Sequence, residues 1–577
     1  MTPLPHLIAK LDQRPPHLKA VRFKRNSVWV TWDWSEYHAH IQATFQLLKF
    51  KGLKRGDRLV LLAPNSVEWA LCDLAAQCLG VVVTPIYPNS SEEDVDFILK
   101  QVEPTLVCAG NADLLQLFPK KWQEKAVVFS PSSGKEVKTA PLFWELLHQA
   151  NISSSEESAP TFQEACFKIH ESDLATIVFT SGTSGKPKGV CLTHHQIISE
   201  LTDLSTAFPI SSQDTTLSFL PYAHILGRVE MWLSVYAGFT LAFSESIEKL
   251  RKNLLEIKPT VLIAVPRIFE KIYAATLTQL NGLFIHSFIE TAQDKNFLHS
   301  LAAAPFRLYL DFKLKEKLKA ALGGRLKYAI SGGAPLAKDV AAFFRKCDVL
   351  LLEGYGLTET TGAICVNTPQ SHHFGTVGKP LADVEIKLAA DNEILIRSAK
   401  VFDRFLDDAE ESSKDAQGFY RTGDIGEWTP DGFLRITDRK KDLIKTSGGK
   451  YVAPQHIENL FKKHPLISQV LVHGDRKKFI VALITLDPKE LKDWALSHKV
   501  PFSKVGDLVH AKQVREKVEE IVKAVNAELA SYESIKKFQV LDHEFSIEAG
   551  ELTPSLKVRR KFCEQKYQPD LERLYGM

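Results

Sequence analysis

TIVFTSGTSGKPKGVCLTHH, Thr176 to His195, is the stretch from which the rest of this chain is read. An apolar run of strand type, Thr176 to Thr180, leads into a loop that gathers hydroxyls, three glycines and two lysines between Thr180 and Gly189. A second apolar run, Gly189 to Thr193, leads out of it. Such a loop is a phosphate cradle. Glycines let backbone N–H groups approach an anion, hydroxyls donate hydrogen bonds, and lysines supply charge. It is not a Walker A loop, which needs four residues between its glycines and a helix directly after Gly-Lys-Ser/Thr. Here Gly182 and Gly185 are three apart and Pro187 follows Lys186, so the chain is expected to return as a strand. The helix is expected from Thr193, an N-cap ahead of Ile197, Ile198, Leu201 and Leu204. A flexible Gly/Ser linker would not be bracketed so closely by two apolar strands.

Working outward, 577 residues are too many for one ordinary domain. A 45% hydrophobic, 24% charged and 10% aromatic composition is that of a soluble globular chain with large cores. Lys and Arg number 72 against 69 Asp and Glu, a net charge of +3, which argues against nucleic acid as an obligate partner. The eight cysteines (Cys72, Cys78, Cys108, Cys166, Cys191, Cys347, Cys365 and Cys563) include no CxxC pair, so zinc and thioredoxin chemistry lack support. They read as buried thiols in a reducing cytoplasm. The N-terminus lacks the apolar core of a signal peptide, and the longest apolar run, Met231 to Phe243, falls short of the ~20 residues of a membrane span. Membrane association, if any, is expected to be peripheral.

Strand-like runs alternate with helical patterns, as in 58–64, 66–80 and 81–87, which predicts α/β units. The polar stretch 151–160 reads as a surface loop, and 275–320 as mostly helical. A β-rich section occupies about 376–437. A boundary is placed near Asp438, dividing the chain into 1–437 and a small α+β domain, 438–577. In the latter, 466–474 and 478–487 read as paired strands, and 488–498 and 511–530 as amphipathic helices.

Three further stretches carry chemistry. In 331–362, Gly332 and Gly333 end a strand-like run, where ligands sit in open α/β sheets. The following VLLLEGYGLTET offers Tyr355 as a flat face for a base, Thr358 for a phosphate and Glu359 as a hard oxygen ligand for Mg²⁺. In YRTGDIG, Asp424 held by a glycine turn suits a ribose diol. In LTPSLKVRR, Lys557 is bland alone, since a lysine near the C-terminus is usually a solvated surface residue.

Together these stretches resemble, in order and over about residues 20–567, the adenylate-forming superfamily of acyl-CoA synthetases, luciferases and peptide-synthetase adenylation domains. The resemblance implies a large N-terminal domain of layered sheets and helices with a β-rich subdomain, and a small mobile C-terminal domain. It assigns Thr180, Ser181, Gly182, Thr183, Ser184, Gly185 and Lys188 to the phosphates, and Glu353, Gly354 and Thr358 to the nucleotide site. Gly333 and Ala334 fall to the adenine pocket, Tyr355 to base stacking, Thr183 and Glu359 to Mg²⁺, and Asp424 and Arg439 to the ribose. Lys441 matches the hinge, Lys557 the adenylation lysine, and Gly448, Gly449 and Lys450 the segment lining the CoA pantetheine tunnel.

The form LTPSLK, with Leu556 where many relatives have Gly, resembles the long-chain fatty acyl-CoA synthetases. So do VPRIFEKIY (265–273) and LPYAHILGR (220–228), with His224 at the acyl and pantetheine entrance. This branch implies ATP, Mg²⁺, CoA and a fatty acid as reactants, in the cytoplasm or peripherally on a membrane. A ligase that passes its adenylate to a carrier protein, and a catalytically silent lipid-binding relative, are the alternatives. Departures from the pattern are Asn392 before Glu393-Ile394, Arg404-Phe405, and Gly227 where long-chain relatives often carry Glu. The last bears on the acyl entrance. Trp232, Tyr236 and Phe239 are candidates for the acyl tunnel, although aromatics at helical spacing are more often core.

Overall fold

The computed structural model describes residues 1–130, 140–153, 161–180, 187–280, 304–407, 414–554 and 556–576. Leu174–Thr180 and Lys188–Thr193 form the expected antiparallel hairpin, in register from Thr176↔Leu192 to Thr180↔Lys188. Gly189 is needed there, because a Cβ would meet Ile177, Leu406 and Phe179 at 3.0–3.2 Å. The helix His194–Ala207 follows, with Thr193 as N-cap and its N–H donating to Gln196 Oε1 at 2.6 Å.

This hairpin lies in a sheet whose strands Val82–Ile86, Arg58–Leu62, Leu106–Ala109 and Ala126–Val128 run parallel. The helix Val67–Leu79 is buried nearly all round, because it lies between layers rather than on the surface. A larger sheet holds, among others, Thr215–Ser218, Val261–Ala264, Tyr328–Ser331 and Leu351–Leu357, paired in parallel. One continuous apolar core joins the two sheets. The β-rich section forms an antiparallel sheet of Val384–Leu388, Glu393–Ser398, Tyr420–Trp428 and Leu434–Arg439.

Beyond it, Ile467–His473, Ile480–Leu486 and Ile535–Val540 make a separate sheet with a core on each face. Val470, Val472, Ala482 and Ile484 pack against the helices Pro454–Lys462 and Lys512–Ala527. The alternate residues Leu471, Val481 and Leu483 pack toward Arg560–Lys566 and Gln568–Tyr575. Period-2 alternation thus feeds two cores, as the pleat requires.

Some expectations change. The polar stretch from 151 begins inside the helix Phe143–Ser153 rather than in a loop; 154–160 lie outside the described residues. Of 275–320, the helices Pro266–Leu280 and Ala304–Ala321 are described, and 281–303 lie outside. The TGD motif is not a turn. It lies within the strand Tyr420–Trp428, where Gly423 at φ +71° sits in an irregular stretch of the ladder. Trp232 and Phe239 are core: both are fully buried, and Trp232 Nε1 donates to Asp73 Oδ2 at 2.8 Å. Tyr236 pairs its hydroxyl with that of Thr202 at 3.3 Å.

Candidate active site

The cleft is built where strand ends meet. After Tyr328–Ser331 the chain turns at Gly333, φ +81°, and a Cβ there would lie 3.8 Å from the His224 ring. Ala334 continues that turn, and Leu336 N donates to Glu353 Oε1 at 3.0 Å. Glu353 therefore braces the loop through its side chain, and burial pushes its carboxyl up to about 8. Gly354 lies against Gly332 from the neighbouring strand, its carbonyl 3.8 Å from where a Gly332 Cβ would be.

His224 caps the helix Ile225–Ala237, its Nδ1 accepting from Leu226 N at 3.2 Å. Burial, and then the charge of Lys557, lower its imidazole to about 4, so it is neutral at pH 7. The LPYAH turn before it is held from the other layer by Asn65, which donates to Leu220 O at 2.7 Å and accepts from Tyr222 N at 3.0 Å. Gly227 faces this turn. A Cβ there would lie 2.5 Å from Leu220 O, so this departure from the long-chain pattern is a packing requirement.

Across the cleft, Tyr355 donates its hydroxyl to Asp424 Oδ2 at 2.5 Å. Arg439 Nε donates to Asp424 Oδ1 at 3.1 Å from the paired strand. Burial and Asp424 raise the phenol of Tyr355 well above its usual range. Burial opposes the charge on Arg439, but Asp424, Asp442, Tyr355 and Glu359 outweigh it and raise its pKa. Thr358 and Glu359 open the short turn Thr358–Thr360, and burial raises the Glu359 carboxyl against the pull of Arg439 and Lys557.

Lys557 comes from the far end of the chain. Its loop is closed by Thr553 N donating to Lys557 O at 2.8 Å, and docked by Asn89 Nδ2 donating to Pro554 O at 3.0 Å. The side chain stays water-accessible in the cleft. The surrounding protein, then Arg439, still push its ammonium down to about 8, with Lys462 adding to that and Asp424 and Glu359 opposing it. Lys463 Nζ, just past the helix Pro454–Lys462, pairs with Asp339 Oδ2 at 2.8 Å on the large domain.

The structure thus brings His224, Gly333, Tyr355, Glu359, Asp424, Arg439 and Lys557 together. Gly448, Gly449 and Lys450 lie elsewhere, exposed at the turn between Ile444–Lys445 and Tyr451–Val452, with Lys450 Nζ 5.9 Å from the Tyr532 ring. Lys441 is exposed in the turn that Asp442 N closes on Arg439 O at 3.0 Å. Thr180 donates to Lys188 O at 3.4 Å, and Lys188 Nζ lies 5.6 Å from the Phe405 ring. Ser181, Gly182, Thr183, Ser184 and Gly185 lie outside the described residues.

Sequence reasoning missed Glu393. Almost fully buried, it accepts from Gly423 N at 3.2 Å, Arg421 at 2.6 Å and Lys440 at 2.9 Å, tying the Asp424 strand to the residue before Lys441. Its neighbour Asn392 stands at φ +62°, a left-handed position that asparagine tolerates better than most residues. Only the pairing of distant strands exposes these roles.

Among the described residues no group of three or more His, Cys, Asp or Glu side chains is arranged to hold a metal. Among the described residues of the cleft, Asp424 is bonded by Tyr355 and Arg439 and Glu353 by Leu336 N, while no such side-chain partner engages the Glu359 carboxyl in the bonds described above. That suits Mg²⁺, which takes one or two carboxylates and fills its remaining positions with water and phosphate oxygens.

A layered α/β body, a smaller α+β unit docked over it and a cleft of this composition define the adenylate-forming class of enzymes. The chain belongs to the AMP-binding enzyme family: that family's model matches residues 9–404, and the AMP-binding enzyme C-terminal domain matches 441–577. A long-chain-fatty-acid–CoA ligase of Mycobacterium bovis is 34% identical over 96% of this chain and 93% of its own length. The long-chain-fatty-acid–CoA ligase 5 of Mus musculus is 30% identical, covering 92% and 82% respectively. Among solved structures, the adenylation domain of a carboxylate reductase from Mycobacterium chelonae superposes with a TM-score of 0.79 at 22% identity, over 100% of this chain and 91% of that one. O-succinylbenzoate CoA synthetase of Bacillus subtilis, in complex with ATP and magnesium, gives 0.69 at 21%, over 96% and 98%.

Proposed function

We propose that this enzyme activates a long-chain fatty acid with ATP and transfers the acyl group to CoA, yielding acyl-CoA, AMP and pyrophosphate. The substrate class rests on the ligases it resembles along nearly its whole length. The observation that carries the chemistry is the meeting of Lys557, from near the C-terminus, with Arg439 and with Glu359, Asp424 and His224 of the large domain.

In the first step the fatty carboxylate oxygen attacks the α-phosphorus, the bond to the β-phosphate oxygen breaks, and pyrophosphate leaves. Lys557 stabilises the charge that grows between carboxylate and α-phosphate. Asp424, oriented by Tyr355 and Arg439, takes the ribose diol, while Gly333 and Ala334 leave room for the adenine. Glu359 would hold Mg²⁺, which would supply positive charge to offset that of the phosphates. His224, neutral at pH 7, shapes the acyl and pantetheine entrance and leaves the positive charge there to Lys557. Thr180 to Lys188 grip the phosphates.

In the second step the CoA thiolate attacks the acyl carbonyl and the carbonyl–phosphate bond breaks, releasing AMP. Lys557 occupies the cleft while Gly448, Gly449 and Lys450 are exposed outside it, which supports a swing about Lys441 between the two steps. Contact with membranes is proposed as peripheral: no helix among the described residues is long and apolar enough to cross a bilayer, and the eight cysteines are buried thiols suited to a reducing cytoplasm.

The test is mass spectrometry of the products from purified protein, ATP and Mg²⁺ with a panel of fatty acids, with and without CoA. Acyl-CoA and AMP are expected. Acyl-AMP that accumulates whether or not CoA is present would replace this reading with a carrier-protein ligase, and absence of AMP with every acid would overturn it.

A further inference from the structure

The turn that carries Thr358 and Glu359 runs against backbone preference. It closes through Thr361 N donating to Thr358 O at 3.0 Å, and Thr361, a β-branched residue, stands at φ +62°. Gly362 follows at φ +144°, where a Cβ would lie 2.4 Å from Glu200 Oε1. Such a conformation persists only where its surroundings over-determine it.

Those surroundings are a buried ion cluster that no sequence motif marked. Lys400 is fully buried, and its ammonium, with three donors to satisfy, faces three oxygens: Ala363 O at 2.8 Å, Glu200 Oε2 at 3.0 Å and Asp203 Oδ2 at 2.9 Å. Glu200 Oε1 accepts from Ala363 N at 2.6 Å. Thr361 Oγ1 donates to Lys400 O at 2.8 Å, and Phe402 N donates to Glu359 O at 2.8 Å. Both backbone polar groups of Ala363 are therefore held by one ion cluster, and the carbonyl of Lys400 and the N–H of Phe402 hold Thr361 and Glu359 in turn. Glu200 and Asp203 come from the helix that follows the phosphate hairpin, so the cluster ties that hairpin's exit to the Glu359 turn.

We propose that Lys400, with Glu200 and Asp203, is the positioning device that fixes Thr358 and Glu359 for the Mg²⁺-bound triphosphate. The inference rests on the ligase reading for what Glu359 meets, but the clamp itself can be measured without substrate. Lys400→Met and Glu200→Gln are compared with the unaltered protein by hydrogen–deuterium exchange in the ligand-free state, and by calorimetric titration with Mg²⁺·ATP. Exchange over Leu357–Val366 is expected to rise about tenfold, with the small-domain sheet unchanged. The dissociation constant for Mg²⁺·ATP is expected to rise about tenfold. CoA transfer from supplied acyl-AMP, which needs no triphosphate, should stay within about twofold of the unaltered enzyme.

Unchanged exchange in this segment overturns the proposal, as does a parallel loss of Mg²⁺·ATP binding and acyl-AMP turnover. Should Lys400→Met fail to fold, Glu200→Gln, which keeps the acceptor for Ala363 N, decides by the same readouts. If the unaltered protein neither binds Mg²⁺·ATP nor releases AMP, the ligase reading fails, while the exchange data still judge the clamp.

Discussion

On the proposed mechanism adenylation needs Lys557 as an ammonium, and the cleft sets the pH range over which it carries that charge. Surrounding protein, Arg439 and Lys462 bring it to about 8 from an ordinary 10.5, in spite of Asp424 and Glu359. At pH 7 such a group is about 90% charged, and at pH 9 about 10%. kcat/KM for the adenylation half-reaction reports the free enzyme, so it should fall about tenfold between those pH values. A lysine near 10.5 would leave the profile flat. Lys557→Arg keeps the charge throughout and should abolish this basic limb, whatever it costs in absolute rate. Lys557→Met should lose about 10²- to 10³-fold, the scale of removing one transition-state charge partner. The assay is ATP–pyrophosphate exchange from pH 6 to 10 with a fatty acid, with CoA transfer from supplied acyl-AMP run in parallel. The same shift has a linkage consequence. Between about pH 8 and 10.5 the unfolded chain binds the proton that the folded cleft has released, so this group makes stability rise with pH across that window. A profile flat to pH 10, or a Lys557→Met enzyme that exchanges pyrophosphate at the unaltered rate, would refute the assignment.

Other substitutions probe the frame. Arg228, fully buried, bonds Asp73 and Thr176, and Asp73 also accepts from Gln77 and Trp232 at 2.8 Å each. Arg228→Met should cost about 3–5 kcal/mol in urea unfolding, and adding Asp73→Asn should recover part of it, because the buried charge then disappears with its partner. Gly227→Ala drives a methyl to 2.5 Å from Leu220 O and should cost about 1–3 kcal/mol by thermal denaturation. Leu556 stands at φ +63° and the residue is 62% exposed, so Leu556→Gly should stabilise the Lys557 loop by about 1 kcal/mol; a loss of stability would show that the side chain is used. Reversing either charge of the Lys463–Asp339 pair should slow pyrophosphate exchange by about 1.4- to 5-fold, and swapping both should restore it, measured against an unchanged acyl-AMP to CoA step.

Much of the architecture was legible because it is written locally. The hairpin around the phosphate loop, the strand–helix–strand run from Arg58 to Ile86 and the paired strands near 470 and 483 each follow from an apolar run, a period or a cap within about ten residues. The TGD motif misled, because a glycine with positive φ serves a strand irregularity as well as a turn, and only the facing strand distinguishes them. Gly227 was only partly legible. Its meaning lies in two carbonyls that the helix start packs against, which a motif comparison sees only as a missing Glu.

The sequence by itself determined the chemical inventory: a hydroxyl- and glycine-rich loop, an aromatic, carboxylates, and a lysine near the C-terminus, in an order that matches one family. Tertiary structure decided which of these meet. Lys557 reaches Glu359 and Asp424 across more than a hundred residues of chain, while Gly448 to Lys450, nearer in sequence, stay outside the cleft. Glu393, Lys400 and Asn65 acquired roles only there. Their partners come from other strands and layers, and a buried charge or amide declares its function by the groups that satisfy it.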